Sequence, residues 1–264
     1  MKEKHYCYNT GPIEEVWGRI HVPLAKKCTL KCTYCSYLRD GNITDDNWRP
    51  GSSSGIVEGK ETIYEYLKQA VNQYRNVKII GVSGPGDPLE NIIQVRELIA
   101  VMKEYYPDYY LCICTNGSIW NTDVQWLLKQ PLLRYITLTI NTIDMEKYPV
   151  LYQRYRDSAV HRDMWENQLR IIRECTANGI KVKINTVYIP GTNDTEITEM
   201  YRRLREEGVS CFNLMPQIDP ESGRHKHLPE CEKLQAALAA QGFDMMTKCK
   251  HCRADHCECG KKAN

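Results

Sequence analysis

Residues 18–35 read GRIHVPLAKKCTLKCTYC, an apolar run that passes directly into a loop with three cysteines. The apolar and β-branched residues predict a strand over 18–25. The loop places Cys28, Cys32 and Cys35 in the spacing Cys-x3-Cys-x2-Cys, and an aromatic residue, Tyr34, stands just before the last cysteine. Closely spaced thiols directly after a strand predict a metal site at the carboxyl end of that strand.

The order of strand and helix repeats downstream of this loop. Apolar runs predict further strands over 77–82, 109–114, 135–140, 182–188 and 210–214, with helices over 60–74, 91–105, 123–129, 164–177 and 197–206. Such alternation is typical of an α/β protein with a parallel sheet. Six strands are fewer than the eight of a closed barrel, so we expect a partial (β/α)6 TIM-like barrel, with a doubly wound sheet as the alternative.

Three segments are predicted along the chain. A cysteine-bearing N-terminal segment covers 1–17, the barrel covers 18–220, and an extension over 221–264 holds a helix over 230–240 and a cysteine-rich tail. In either sheet architecture, functional residues lie at the carboxyl ends of the strands. The stretches 83–87 and 115–117 and the residue Asn141 follow predicted strands, so they are expected to lie near the cysteine loop.

Composition limits the class of protein. The chain has 264 residues, of which 42% are hydrophobic. Its net charge of only +2 gives no sign of the positively charged surface that binds nucleic acids. The N-terminus lacks the apolar run of a signal peptide, and no apolar stretch is long enough to span a membrane, so we expect a cytoplasmic protein. Thirteen cysteines in a chain of this kind predict metal binding or catalysis rather than disulfides.

Three thiolates suit a particular iron–sulfur site. They hold three irons of a [4Fe–4S] cluster and leave the fourth iron open to chelate S-adenosylmethionine (SAM). One electron from the reduced cluster then cleaves SAM to methionine and a 5′-deoxyadenosyl radical. The alternative for these thiols is a zinc site.

Motifs along nearly the whole chain resemble the NifB family of nitrogenase cofactor maturases, within the radical SAM superfamily. These are GRIHVPLAKKC (18–28), SGPGDPL (83–89), Cys112-x2-TNG (112–117), TLTINTID (137–144), KIN (183–185), IPGTND (189–194) and CKHCRAD (249–255). The resemblance implies an enzyme that fuses two auxiliary [4Fe–4S] clusters and inserts a SAM-derived carbide, giving an 8Fe precursor of the nitrogenase cofactor. It also implies a reductant of the ferredoxin or flavodoxin type, an iron–sulfur cluster donor and a scaffold protein that accepts the product.

The resemblance also implies which residues act. The expected SAM-binding residues are Tyr34, Ser83, Gly84, Gly86, Asp87, Thr115, Asn116, Asn141 and Asn185. The expected auxiliary-cluster ligands are Cys7 with His5, Cys112, Cys249 and Cys252. Cys112 and Cys114 are two residues apart in a strand, and we expect them to face opposite sides, with only Cys112 in the interior. Cys175, Cys211 and Cys231 are expected to be small buried side chains.

The chain departs from the family pattern at four places. The family's His-Pro-Cys is His5-Tyr6-Cys7 here. A cysteine expected shortly after the triad is absent near Asp40, and a glutamate is replaced by Asn47. The tail gains Cys257 and Cys259, and we hypothesise that one of them replaces the missing ligand. A zinc knuckle is the alternative for the tail. Two other functions stay open: a radical SAM enzyme with auxiliary clusters that modifies a peptide or small molecule, and a non-enzymatic iron–sulfur or zinc module.

Overall fold

The computed structural model of the chain describes residues 4–8, 17–28, 30–35, 56–74, 76–82, 84–152, 163–219 and 224–246. Some of the residues singled out above lie outside these ranges: Ser83, Cys249, Cys252, Cys257, Cys259, Asp40 and Asn47. The other predicted site residues are described.

Strands and helices alternate along the described chain. The strands are β1 (Gly18–His21), β2 (Val77–Val82), β3 (Tyr110–Thr115), β4 (Leu133–Thr139), β5 (Lys181–Tyr188) and β6 (Cys211–Pro216). The helices are α1 (Lys60–Gln73), α2 (Ile92–Tyr105), α3 (Thr122–Leu128), α4 (Tyr148–Leu151), α5 (Met164–Ala177), α6 (Ile197–Glu206) and α7 (Leu228–Ala240). β2, α5 and α6 have the predicted bounds, whereas the sequence predicted no element at α4.

The strands of the described chain form one six-stranded parallel sheet in which each strand pairs with the next in sequence, from β1 to β6. A doubly wound sheet would reverse its strand order at a switch point. An order that runs in one direction, with right-handed connections, places the helices on one face. The sheet therefore curls into an open half-barrel, which confirms the predicted partial barrel.

The two faces of the sheet differ in polarity because side chains alternate along each strand. Outward side chains such as Ile20, Ile80 and Ile136 belong to the apolar core beneath the helices. The inward positions between them carry buried polar and charged residues, namely Arg19, His21, Thr137, Lys183, Asn185 and Asn213. The inner surface of the half-barrel is therefore the polar one.

Helix α6 shows how the outer layer is held. Its buried residues Ile197, Met200, Tyr201 and Leu204 are spaced as one helical face. The Tyr201 ring stacks on Phe212 of β6 with 4.4 Å between the ring centroids. Burial of such a face stabilises the helix on the sheet by about 1.5–3 kcal/mol for each large apolar side chain.

The two edge strands are flanked by segments from the ends of the described chain. Beside β1, His5 forms a parallel bridge with Trp17, whose amide donates to the carbonyl of Lys4. Beside β6, the amide of Phe212 donates to the carbonyl of Asp244 at 3.0 Å, and the amide of Met246 donates to that of Phe212 at 2.7 Å. Residues 4–5 and 243–246 thus lie beside opposite edges of the sheet, whereas Cys7 and Tyr8 continue into the interior of the half-barrel.

Two of the boundaries that differ from the prediction have a clear physical reason. Strand β1 ends at His21 rather than Ala25, because the chain leaves the ladder before Pro23, which has no amide hydrogen to donate. Helix α7 begins at Leu228 rather than Glu230, with Pro229 in its first turn. Among the described residues, no helix has the length and apolarity needed to cross a membrane. The segment boundaries after residues 17 and 220 stay predictions.

Candidate functional site

The three cysteines of the loop after β1 face a common cavity. Cys28, Cys32 and Cys35 line a cavity of about 240 Å³ at the carboxyl ends of the strands. The same cavity is lined by predicted residues from three other segments, namely Gly86, Asp87, Thr115, Asn116 and Asn185. The fold thus brings residues together that are far apart in sequence.

Asp87 connects the turn after β2 to the end of β3. Its buried carboxylate accepts hydrogen bonds from Thr115 Oγ1 at 2.8 and 2.9 Å, from the amide of Asn116 at 2.7 Å and from the amide of Leu89 at 2.9 Å. Burial raises the pKa of this carboxyl group to about 7, although the hydrogen bonds oppose that rise. Asp87 therefore fixes the position of Thr115 and Asn116 beside the cavity.

Gly86 allows this turn to pack closely on the cysteine loop. A Cβ atom at Gly86 would lie 2.3 Å from the carbonyl oxygen of Lys27, and the amide of Asp87 donates to that oxygen at 2.8 Å. Gly84, earlier in the turn, has a φ of 135°, a left-handed conformation that favours glycine. Gly86 therefore allows the turn to pack against the backbone of Lys27, the residue immediately before Cys28.

Asn91 was not predicted as a site residue, yet it holds the same two segments together. Its side-chain oxygen accepts from the amides of Lys26 and Lys27, both at 3.2 Å, while its Nδ2 donates to the carbonyls of Lys27 at 2.9 Å and Asp87 at 2.8 Å. The sequence showed Asn91 only as the start of a helix. Its role depends on contacts across more than sixty residues of chain, which local sequence patterns do not reveal.

The strand-end asparagines extend this polar wall. Asn116 Nδ2 lies 3.7 Å from Cys28 Sγ. Asn141 Nδ2 donates to the Tyr34 hydroxyl, and Asn141 Oδ1 accepts from the amide of Val187 at 2.8 Å. Asn185 Oδ1 accepts from Asn213 Nδ2 at 3.1 Å. Asn116 and Asn185 thus line the cavity, whereas Asn141 is buried behind Tyr34, which lines it.

The cysteine loop is supported by α4, the helix that the sequence did not predict. The amide of Thr33 donates to the carbonyl of Leu151 at 3.0 Å, and Cys32 forms an antiparallel bridge with Tyr152. The loop's Leu30 is buried in one apolar cluster with Tyr148 and Tyr152. Tyr34 belongs to the edge of this cluster, so it orients the loop from one side while its hydroxyl faces Asn141.

The loop thiols suit a metal cluster. Burial raises the pKa of Cys32 to about 12, and burial followed by the nearby Asp87 raises the pKa of Cys28 well above its ordinary value. These thiols would keep their protons until a cation replaced them, as bound metal does. Among the described residues, no three His, Cys, Asp or Glu side chains converge as they would around a single ion. Three thiols on one short loop suit a cluster, in which each thiolate binds a different iron.

A second group of cysteines lies deeper in the half-barrel. Cys7, Cys112 and Cys211 share a buried cluster with Tyr8 and Tyr135. His5 is fully buried beside Cys7: its Nδ1 accepts from the Cys7 amide at 3.0 Å, and its ring lies 4.4 Å from that of Tyr135. The structure thus brings together the predicted ligands His5, Cys7 and Cys112.

The expectation that Cys112 and Cys114 face opposite sides is wrong. Residues two apart in a strand share a face, and both thiols point into the half-barrel. Cys112 packs in the interior cluster, a hydrogen bond joins the two thiols, and Cys114 lines the same cavity as the cysteine loop. Cys211 also lies in this interior, whereas Cys175 and Cys231 belong to the outer apolar core as predicted.

The chain is similar to known proteins over most of its length. A family model described as the radical SAM superfamily matches residues 22–204. The FeMo cofactor biosynthesis protein NifB of Klebsiella pneumoniae is 34% identical over 266 residues, which cover 95% of this chain and 56% of that protein. NifB of Chlorobaculum tepidum is 30% identical over 264 residues, 96% of this chain and 61% of that protein. The chain thus spans less than two thirds of the length of either relative.

Among solved structures, Streptococcus suis SuiB has a TM-score of 0.63 at 17% identity, with 88% of this chain and 50% of that chain covered. At this identity the likeness shows the fold alone, and it agrees with the open half-barrel. The family model includes all three loop cysteines and extends over more than half of the chain. The predicted resemblance to NifB is therefore confirmed, and the chain belongs to the radical SAM superfamily.

Proposed function

We propose that the protein is a radical SAM maturase of the NifB type, which builds an iron–sulfur precursor of the nitrogenase cofactor. One observation carries this proposal: the SAM-type cysteine loop and a separate group of buried thiols line the inside of the same half-barrel. A radical generated at the loop would thus arise next to ligands for a second cluster. The similarity to proteins described as FeMo cofactor biosynthesis proteins supports the choice of substrate.

The cavity at the loop is the proposed SAM site. Cys28, Cys32 and Cys35 would hold a [4Fe–4S] cluster, which supplies the electron that cleaves SAM. The turn that ends at Gly86 and Asp87, together with Asn116, Asn141 and Asn185, would bind the polar groups of SAM. Asn91 would hold the turn and the loop in register, because its side chain donates to a backbone carbonyl of each, and the Asp87 carboxylate would hold the turn to the end of β3.

The substrate of the proposed reaction is iron–sulfur cluster carried by the protein itself. Cys7, His5 and Cys112 would bind one auxiliary cluster inside the half-barrel. Cys249 and Cys252 would bind the other, with Cys257 or Cys259 as the replacement ligand. Loss of one cluster's iron when Cys257 and Cys259 are both changed to serine, with no loss for Cys231→Ser, would support this assignment.

Further steps of the proposal concern partners and location. We infer a cytoplasmic protein that takes electrons from a ferredoxin or flavodoxin, receives clusters from an iron–sulfur donor and passes its product to a scaffold protein. The exposed surface near the loop includes Lys26, which forms a salt bridge with Glu58, and Lys27, whose positive charge suits an acidic electron donor.

The fate of SAM tests the proposed function. Reduced, iron-reconstituted protein is mixed with SAM under anaerobic conditions, without other substrate, and both products are quantified. Formation of S-adenosylhomocysteine together with 5′-deoxyadenosine is expected, because methyl transfer and radical chemistry would both act on the protein's own clusters. 5′-Deoxyadenosine alone would contradict the maturase and favour a radical SAM enzyme that modifies an added peptide or small molecule. No cleavage at all would favour a non-enzymatic iron–sulfur module.

A further inference from the structure

Cys114 lies where the cavity of the cysteine loop meets the interior thiols. It is on β3, lines the cavity with Cys28 and Cys32, and hydrogen-bonds through its thiol to Cys112. The guanidinium of Arg19 donates to Cys114 Sγ at 3.3 Å. We propose that Cys114 is an iron ligand of the interior auxiliary cluster, which it shares with Cys7 and Cys112. This inference rests on the proposed function, because it assumes that an auxiliary cluster binds inside the half-barrel.

Arg19 places the thiols of two chain segments around one positive charge. Its Nη1 lies 3.8 Å from Cys7 Sγ, while its Nη2 contacts Cys114, so residues from the N-terminal segment and β3 meet at the same guanidinium. Gly81 leaves the room for it, because a Cβ atom there would lie 2.3 Å from Arg19 Nε. Cys7 and Cys114 are therefore held at one buried side chain, and Cys112 lies in the same buried cluster as Cys7.

The charge of this interior suits an anionic occupant. Arg19 and Lys183 are both buried on the inner face, and Lys183 Nζ lies 5.3 Å from the centre of the Tyr8 ring. Burial of a cation is costly unless negative charge lies nearby. Each thiol releases a proton as its sulfur binds iron, and the resulting thiolate-ligated cluster carries that negative charge. Arg19 would then donate its hydrogen bonds to ligated sulfur, an interaction stronger than one with a neutral thiol.

Cys114 differs from the cysteines that only fill space. Cys175 on α5 and Cys231 on α7 lie in the outer apolar core. Cys211 is interior, but its thiol lies 3.9 Å from the backbone carbonyl of Cys7, to which it donates. Cys114 is half-buried, contacts a cation and borders the cavity, and that combination suits an iron ligand next to the radical source.

Iron content tests the assignment without any need for SAM chemistry. In the full chain, Cys28, Cys32 and Cys35 are changed to alanine so that bound iron reports only the auxiliary sites. Cys114→Ser is added to this background, with Cys175→Ser as the matched control for loss of a buried thiol. After anaerobic reconstitution with ferrous iron and sulfide, Cys114→Ser should hold roughly one to four fewer irons per chain than the control. Its electron paramagnetic resonance spectrum after oxidation should show a three-iron cluster that the control lacks.

A second measurement does not depend on a variant at Cys114. In the same background, alkylation of Cys114 by iodoacetamide is followed by mass spectrometry before and after reconstitution. Ligation predicts that Cys114 reacts in the iron-free protein and becomes protected when iron is bound. Equal alkylation in both states, or iron content and spectra that match the Cys175→Ser control, would overturn the inference.

Serine variants of the three cysteines separate the role of Cys114 from the presence of the auxiliary cluster itself. If Cys7→Ser and Cys112→Ser remove iron while Cys114→Ser does not, only the role of Cys114 is wrong. If none of the three changes removes iron, no auxiliary cluster binds at these residues, and that part of the proposed function fails as well.

Discussion

Substitution of Gly86 by alanine should damage the site through geometry alone. The new Cβ atom would lie 2.3 Å from the carbonyl oxygen of Lys27 and 2.7 Å from its backbone nitrogen and carbon. Ordinary contact begins near 3.4 Å, so the turn and the cysteine loop would have to separate by about 1 Å. Both partners are backbone, so neither can rotate away as a side chain would.

The cost follows from the hydrogen bonds that cross this contact. A separation of about 1 Å would lengthen the bond from the Asp87 amide to Lys27 beyond hydrogen-bonding distance, and likewise those from the Gly86 amide and Asn91. Loss of about three such bonds at about 1 kcal/mol each lowers the free energy of unfolding by about 3 kcal/mol. A shift of about 1 Å at Cys28 should also slow SAM cleavage on the order of a hundredfold.

Anaerobic denaturant unfolding and a SAM cleavage assay measure the two effects. Gly179→Ala is the matched control, because nothing lies within 4 Å of its new Cβ atom while its φ is 68°. That variant should lose about 1 kcal/mol through backbone strain and cleave SAM normally. The reasoning would be refuted if Gly86→Ala had the unfolding free energy and the cleavage rate of the unaltered protein.

Three further predictions concern the supports of the site. Asn91→Ala should lower the unfolding free energy by about 2–4 kcal/mol, because it removes four hydrogen bonds between loop and turn; the exposed Asn178→Ala should cost far less in the same denaturant titration. Gly81→Ala should displace Arg19 and reduce the iron retained in the interior, measured after reconstitution, while the iron at Cys28, Cys32 and Cys35 stays bound. Burial lowers the pKa of His21 to about 3 from 6.5, so the folded state resists a proton that the unfolded chain accepts. The free energy of unfolding should therefore fall as the pH is lowered from about 6.5 towards 3, by at most about 1.4 kcal/mol per pH unit. His21→Gln should remove this contribution to the pH dependence. The raised pKa of Asp87 makes the free energy of unfolding rise as the pH falls below about 7, which is the opposite trend. The unaltered protein and His21→Gln share this contribution, so it cancels when the two are compared. The same pH dependence in both proteins would refute the assignment to His21.

The sequence predicted the barrel well because its strands and helices are separated by clear changes of period. The strand-end positions Thr115, Asn116 and Asn141 could be found in the same way, since a parallel sheet collects the carboxyl ends of its strands at one edge. Helix α4 escaped prediction because it is four residues long and contains Pro149, so it shows no helical period. Its support of the loop through Tyr152 is visible only in three dimensions.

The cysteines show a different limit. Cys28, Cys32 and Cys35 are recognisable from spacing because one short loop holds them all. Cys7, Cys112 and Cys114 meet only after the sheet has formed. The predicted orientation of Cys114 is wrong because residues two apart in a strand share a face. Asn91 and Arg19 could not be assigned from local pattern, because each acts on partners from distant segments.

An open sheet leaves a lateral seam between β1 and β6, and the width of that seam is not fixed by strand pairing. A closed barrel could admit a large guest only by breaking a ladder of interstrand bonds. In the described part of the chain β1 and β6 are not paired with each other, and the chain beside each edge strand is held by a few backbone bonds, at Trp17 and at Phe212. A guest placed between β1 and β6 would therefore break none of the bonds that pair the six strands.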